Sequence, residues 1–472
     1  MLLSKSRKQA PPGINVRKEA LQSGEQLGTA ALKPISWRDG SKSSAGASPS
    51  PDANPVQREP LGGAYFWLTV FYLVYCARPE DWIPGLQSVP LAKVSGVFAV
   101  IGLMLSLGRS KRSLRDLPRE AFYLLFLIAL FFVSSAFSPV WKGGAFLRTV
   151  DFAKVLVAWV LTFVTVTSFA RLRRILFIQT ASVAVISAVS MLKGASHPRL
   201  EGALGGIYSN PNDLAFAIVL SLPFGLAFLL RSSSIPRKIT WAASLLIMVS
   251  ALFLTASRGA FITFLVAATV GLWHFGIKGR RLHLIAAAAG IAVVVGLAVG
   301  GPLKNRLMAI PGEGIENSEQ TSALGSLEQR RILISRAFVG IEEYPLLGIG
   351  LHNFPTYSGV WRDVHVTYLQ ITVEGGIPVL ILYLMFFWRG FSNLRRLKGT
   401  YDRGSENVLF AGALHSSLVG FLVGAMFAPE AYQYFPYFAV AYTAVLLAIS
   451  REQDRETGRI PNHQKRTFTY AW

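Results

Sequence analysis

Residues 362–388, "RDVHVTYLQITVEGGIPVLILYLMFFW", form a long apolar run that opens on His365 and carries Glu374 inside it. Ionisable residues in such a run are costly to place in lipid and mark either a function or a paired partner. A neutral imidazole near pH 7 takes a proton from a hydroxyl and so makes an alcohol nucleophilic. The competing reading of His365 is an interfacial residue beside Trp361 and Tyr368 in an aromatic belt. Glu374 follows nine residues later. On a continuous helix it lies about 13 Å deeper and roughly opposite in azimuth, so the two do not form a simple dyad. Gly375, Gly376 and Pro378 are suited to kinking or unwinding the run. Glu374 is expected to hold a basic or hydroxyl partner inside the bundle.

Arginine supplies the complementary chemistry, because its planar fork makes two parallel charge-assisted hydrogen bonds to phosphate and stays protonated. Arg258 sits in "TASRGAFIT", a turn between two apolar runs so tight that its guanidinium must lie at or just below a membrane surface. A bare guanidinium costs about 2.5 kcal/mol at a helix centre and less toward the ends, so Arg258 wants an anionic partner. Arg199 stands in "HPRLEGALGGIYSNPNDLAF", before a glycine-rich stretch and a polar segment in which Asn210 or Asn212 caps the next helix. Arg330 and Arg331 are adjacent, with Arg336 and Arg362 nearby. Solvated or snorkelling side chains are the alternative for each of these.

The elements that must position these residues are membrane helices. The chain has 472 residues, 52% hydrophobic and only 15% charged, unlike an ordinary soluble domain. The pattern predicts an all-α polytopic membrane protein with about twelve transmembrane helices, near 63–77, 89–107, 121–138, 150–169, 174–192, 212–230, 239–256, 259–276, 282–300, 366–388, 407–428 and 432–450. The net charge of +21 is a topology signal rather than a nucleic-acid footprint. With an internal N-terminus, the inward connections are basic: "GRSKRSLRDLPRE" and "RGFSNLRRLKGTYDRG" hold five Lys or Arg each, and "ARLRR", "RSSSIPRK" and "KGRR" three each. Outward connections hold none to two, as in "APEAYQYFP" and "SPVWKGGAFLRT", which is what the positive-inside rule requires.

Three parts follow from this reading. Residues 1–62 are expected to be a disordered basic cytoplasmic tail, 63–450 the transmembrane domain with a large periplasmic loop at 301–365, and 451–472 a cytoplasmic C-terminal tail. In the loop, "PGEGIENSEQTSALGS" reads as flexible. The following "LEQRRILISRAFVGIEEY" reads as an amphipathic helix, with Leu333, Ile334, Ala337, Phe338 and Ile341 opposite Arg331, Ser335 and Glu342. The single cysteine, Cys76, excludes a disulfide framework within the chain and a cysteine-rich metal site. No GxxxxGK[ST], HExxH or CxxC occurs, so neither nucleotide hydrolysis nor zinc chemistry is expected.

Four stretches in order, "GGIYSNPNDLAFAI", "LFLTASRGAFITFLVA", "RRILISRAFVGIEEYPLLGIGLHNF" and "VHVTYLQITVEGGIPVLILY", resemble the O-antigen ligase and O-antigen polymerase superfamily of bacterial inner-membrane glycan transferases. The resemblance spans roughly residues 65–450. It implies a metal-independent, cofactor-free glycosyltransferase that moves a glycan from an undecaprenyl diphosphate carrier to a hydroxyl acceptor at the periplasmic face. The acceptor would be lipid A core, another glycan or a protein. Membrane lipid is then the surrounding partner, and nucleic acid is not one. By motif position, Arg258 and Arg331 would hold the diphosphate, with Arg330 and Arg199 as further phosphate-binding candidates. His365 would be the base, with Glu374 and Asn212 in support. Where the family shows a histidine–asparagine pair, Val366 follows His365, and such a pair stands earlier as His352–Asn353. A polymerase or a protein O-glycosylation ligase shares the donor chemistry. From other classes, a solute or ion transporter finds support in Lys93, Asp151 and Lys154, and a lipid-associated scaffold is a further reading. The topology is directly testable: reporters fused after Gly108 or Gly399 are expected to read cytoplasmic, and one inserted near Ser318 periplasmic. A cytoplasmic signal at Ser318 would remove the proposed chemistry from the face where the glycan lies.

Overall fold

A computed structural model describes residues 61–106, 112–194, 200, 206–208, 210–287, 289–290, 293, 318–397 and 405–456. The chain divides into Met1–Gln57, which lies outside the described residues, and Arg58–Trp472. Within the second unit the described regular structure is helical throughout. In order it comprises α1 (Gly62–Ala77), α2 (Leu91–Ser106), α3 (Arg119–Ala136), α4 (Lys142–Thr165) and α5 (Phe169–Lys193). There follow α6 (Pro211–Arg231), α7 (Ile235–Leu254), α8 (Arg258–Leu272), α9 (Ser318–Glu343), α10 (Phe354–Ser358), α11 (Thr367–Arg396), α12 (Glu406–Gly424) and α13 (Tyr434–Glu456). Eleven of the twelve expected spans fall on these helices; most of the ninth, 282–300, lies outside the described residues. Among the described residues, eight helices are long and apolar enough to cross a membrane. The helices α1 and α2 are apolar but shorter, and α4 carries Arg148, Asp151 and Lys154.

Helix starts follow local chemistry. Asn210 accepts a hydrogen bond from the Asn212 amide and Pro211 opens α6, while Ser257 accepts from Ala260 to open α8. The two ends of the bundle differ in charge. At one end Arg112 forks onto Glu452, Arg173 and Arg231 share Glu406, and Glu120, almost fully buried, holds Asn393 at 2.6 Å and Arg389 at 3.5 Å. These bonds tie α3, α11 and α13 together where the basic connections gather. The opposite end holds the starts of α6, α8, α11 and α13, with α9 and α10. Between the ends, side-chain hydroxyls bond across helices, as Ser416 does to the Ala267 carbonyl and Ser417 to that of Leu220.

The defining feature is a break in α11. Gly376 takes φ 81° and ψ 172°, a region that only glycine enters readily. The break strands backbone groups that lipid cannot satisfy. A segment from the preceding loop lies alongside and satisfies them: the amides of Ile349 and Gly350 donate to the carbonyls of Val373 and Glu374 at 2.9 Å, and the Ile377 amide donates to the Pro345 carbonyl at 2.8 Å. This close approach explains two glycines, because a Cβ on Gly376 would lie 2.2 Å from the Leu346 oxygen and one on Gly348 2.5 Å from the Glu374 carbonyl carbon.

Beyond the bundle, α9 and α10 build a small second core on Leu333, Ala337, Ile349, Phe354, Val364 and Val373. The amphipathic helix expected here is present, with two differences. It begins at Ser318, inside the stretch read as flexible, and Phe338 is exposed rather than on the packed face. The buried stripe runs through Leu333, Ala337 and Gly340, and Phe338 lies about 100° past Ala337 around the axis. Gly376→Ala is expected to destabilise the fold by at least about 3 kcal/mol, since backbone strain and the clash with Leu346 add. It should appear as a large loss of monodisperse protein in detergent, whereas Gly63→Ala in α1, where the added methyl meets open space on helical backbone, should retain most of it.

Candidate functional site

Two histidines meet at one aspartate. His365, half-buried just before α11, bonds the Asp363 carbonyl through Nδ1 at 2.9 Å. A carbonyl only accepts, so Nδ1 carries the proton and Nε2 is left with its lone pair. Burial and the neighbouring charge of Arg330 lower the pKa of His365, outweighing the contribution of Asp363. His352 approaches the same residue from the other side, with Nδ1 4.0 Å from Asp363 Oδ1. Its backbone is left-handed, at φ 58°, and its ring packs on Tyr432 at 4.9 Å between centroids. Burial lowers the His352 pKa too, against the pull of the Asp363 carboxylate.

Glu374 does not join the histidines as a dyad; it holds the floor. Fully buried, it accepts from the Tyr432 hydroxyl and from the Phe354 amide at 3.4 Å. The hydroxyl partner expected for it is therefore Tyr432. The broken helix turns this carboxylate toward the start of α10, which fixes the segment carrying His352 and Asn353. Asn353 in turn donates through Nδ2 to Ser138 Oγ at 2.8 Å and the Trp141 carbonyl at 3.2 Å, binding the α3–α4 connection to the site.

The arginines separate. Arg330 and Arg331 differ by about 100° around α9. Arg330 lies one turn before Leu333 on the packed side and acts on His365, whereas the Arg331 side chain is 85% exposed, 4.0 Å from Glu328. Arg258 is half-buried at the first position of α8, directly after Ala256, whose φ is 49°, and the cap Ser257. A Cβ on Gly259 would lie 2.6 Å from the Phe427 side chain, so the start of α8 presses on the α12–α13 turn. Thr367, two residues past His365, clamps the same turn through its amide to Ala425 and its hydroxyl to Ala428. Arg258 and His365 thus border one turn from two sides. Arg199 lies outside the described residues. Asn212 is buried in the first turn of α6, but the cap there is Asn210.

The sequence reading missed Asp213, Asp363, Glu430 and Tyr432. Glu430, buried in the α12–α13 turn, hydrogen-bonds Asp213 of α6, and its amide donates to Thr367 Oγ1 at 2.9 Å. Both acids stand at the mouths of apolar runs, which is a legible signal. No periodicity, however, pairs the start of α6 with the turn before α13. Among the described residues no group of three or more His, Cys, Asp and Glu side chains is arranged to hold a metal ion.

Residues 243–384 match the family model for O-antigen ligase. In this stretch the chain is similar to the O-antigen ligase family. No curated protein matches the chain. The matched stretch runs from α7 into α11 and contains Arg258, Arg330, Arg331, His352, Asp363, His365 and Glu374. Asn212, Asp213, Glu430 and Tyr432 come to it from outside the matched residues.

Burial, with Asp213 adjacent, pushes the Glu430 carboxyl well above the usual carboxylate range. Folding thus holds this proton more tightly than the unfolded chain does, where a glutamate titrates near about 4.3. The stability it contributes is fully present below that value and is lost as pH rises through the raised one. Glu430→Gln keeps shape and hydrogen bonding without the charge. It is expected to flatten the fall in melting temperature between about pH 5 and 9, whereas Glu430→Ala lowers the melting temperature throughout by stranding Asp213, at about 1–3 kcal/mol.

Proposed function

We propose that this protein transfers an oligo- or polysaccharide from an undecaprenyl diphosphate carrier to a hydroxyl acceptor, without a metal ion, at the periplasmic face of a bacterial inner membrane. In this reading it is a multi-pass protein of twelve spans with both termini in the cytoplasm. The observation that carries the reading is the placement of His365, its Nδ1 on the Asp363 carbonyl, beside the turn bordered by Arg258, within the stretch that matches the O-antigen ligase family.

His365 Nε2 takes the proton of the acceptor hydroxyl, its tautomer held by the Asp363 carbonyl and its neutral form favoured by burial and Arg330. The acceptor oxygen attacks the anomeric carbon, and a new glycosidic bond forms as the bond from that carbon to the diphosphate oxygen breaks. The bonding pair leaves with undecaprenyl diphosphate, and the anomeric centre inverts. Charge grows on the leaving oxygen, and the guanidinium groups of Arg258 and Arg330, with the amide-bearing start of α8, stabilise it. One preorganised contact of this kind is worth about 3 kcal/mol, a factor of about 100 to 1,000 in rate. A positioned base adds about 100- to 10,000-fold.

A second reading makes His352 the base, favoured by the Asp363 carboxylate facing its Nδ1. A polymerase or a protein O-glycosylation ligase would use the same donor chemistry with another acceptor. The transporter reading loses its main support: Asp151 and Lys154 pair with each other and, like Lys93, are exposed.

Purified protein with its lipid-linked glycan donor tests the assignment. His365→Gln and His365→Phe are expected to retain lipid diphosphate binding and lose nearly all transfer, while His352→Gln keeps most of it. Arg258→Lys keeps the charge but not the fork and should transfer more than about tenfold more slowly at unchanged protein level. An essential His352 with a dispensable His365 would assign the base to His352. Near-normal transfer by the Arg258→Lys variant would reduce Arg258 to a topology residue.

A further inference from the structure

Two tryptophans stand next to residues of the small outer core. Val140 and Val360 both pack against that core, and the next residue of each chain segment, Trp141 and Trp361, turns outward. They are 63% and 74% exposed. Neither is loosely held. The Trp141 ring lies over the first turn of α4: an added Cβ on Gly144 would fall 2.1 Å from ring atom Cε3, so this glycine exists to let the ring lie flat. One face of the indole is therefore against backbone and the other is open. Its carbonyl is bonded by Asn353, the neighbour of His352.

Trp361 sits on left-handed backbone at φ 58°, an unfavourable state for a bulky residue that persists only where surrounding structure enforces it. The enforcement is visible. The Trp361 amide donates to the Pro355 carbonyl at 3.2 Å, Gly359 to Thr356, and Val360 to Ser358 Oγ. Strain of this kind collects at ligand-holding positions. Trp361 is two residues from Asp363, so their Cα atoms lie within about 7 Å. An exposed basic residue follows each tryptophan in the chain, Lys142 after Trp141 and Arg362 after Trp361.

A flat open indole face, with an exposed basic residue next to it in the chain, matches a pyranose, which has one face of C–H groups and a rim of hydroxyls. We propose that Trp141 and Trp361 are stacking platforms for pyranose rings of the glycan, with Lys142 and Arg362 meeting the ring hydroxyls. The inference rests on the glycan-transfer reading above and adds to it a sugar subsite outside the reacting atoms. The ring that stacks belongs either to the donor glycan or to a glycan acceptor; the chemistry is common to both. An interfacial belt residue is the competing role, and it makes a different prediction, because a belt needs apolar bulk and not a ring face.

The full chain in nanodiscs is titrated with three probes: undecaprenyl diphosphate without sugar, the lipid-linked oligosaccharide from the producing strain, and lipopolysaccharide core oligosaccharide. Trp141→Leu and Trp361→Leu keep the bulk and remove the ring; Trp141→Phe and Trp361→Phe keep a ring. The leucine variants are expected to bind at least one glycan-bearing probe about three- to tenfold more weakly. They should hold bare undecaprenyl diphosphate as wild type does, with the phenylalanine variants in between. Loss confined to the lipid-linked probe assigns the platforms to the donor, and loss confined to the core oligosaccharide to the acceptor. Glycan affinities equal to wild type in both leucine variants overturn the proposal, as does an equal loss for bare undecaprenyl diphosphate, which marks a structural role. If wild type itself fails to bind undecaprenyl diphosphate in any form, it is the glycan-transfer reading that falls.

Discussion

A helix inside a membrane cannot be interrupted without giving its freed amides and carbonyls new partners. Here the interruption at Gly376 is answered by residues 345–350, which run beside the break and exchange hydrogen bonds with Val373, Glu374 and Ile377. That exchange fixes where the outer loop meets the bundle, and much else depends on it. The chain leaves the pairing at Gly350, and His352, Asn353 and Phe354 follow within one turn. Asn353 brings in the α3–α4 connection, and Glu374 holds the start of α10. The break therefore turns a candidate membrane span into the support of the site at this end of the bundle.

A site for an anionic leaving group would be weakened by bare acids, yet Asp213, Asp363, Glu374 and Glu430 all lie at this end. Their neighbours restrain them. Glu374 is bonded by Tyr432, and Asp213 and Glu430 bond each other. Asp363 faces one imidazole with its carboxylate and holds the other through its carbonyl. The acids at this end thus serve to hold backbone and rings in place. The basic residues at the opposite end pair with Glu120, Glu406 and Glu452 and anchor helices instead.

Much of the helical framework was legible in the chain, because an apolar run long enough to cross lipid has few other uses. The expected kink at Gly375–Gly376–Pro378, the amphipathic helix around Leu333 and the hydroxyl partner of Glu374 were legible for the same local reasons. Boundaries were less so. The helix α4 begins at Lys142 rather than near 150, since residues with charges continue a helix as well as apolar ones do once its first turn leaves the lipid. The Ser318 start of α9 escaped a reading that took Gly and Ser content for flexibility.

The sequence by itself determined the class of fold, the charge asymmetry of the connections and the identity of His365, Arg258 and the Arg330–Arg331 pair as residues with chemistry to offer. These depend on hydropathy, length and residue type, all of which are local. Tertiary structure decided which of them meet: that Arg330 rather than Arg331 acts on His365, that His352 and His365 share Asp363, and that Glu430 bonds Asp213. Those pairings join residues up to more than two hundred positions apart through the packing of helix ends. A periodicity of 3.6 residues reports which face of a helix is buried and carries no record of which neighbour buries it.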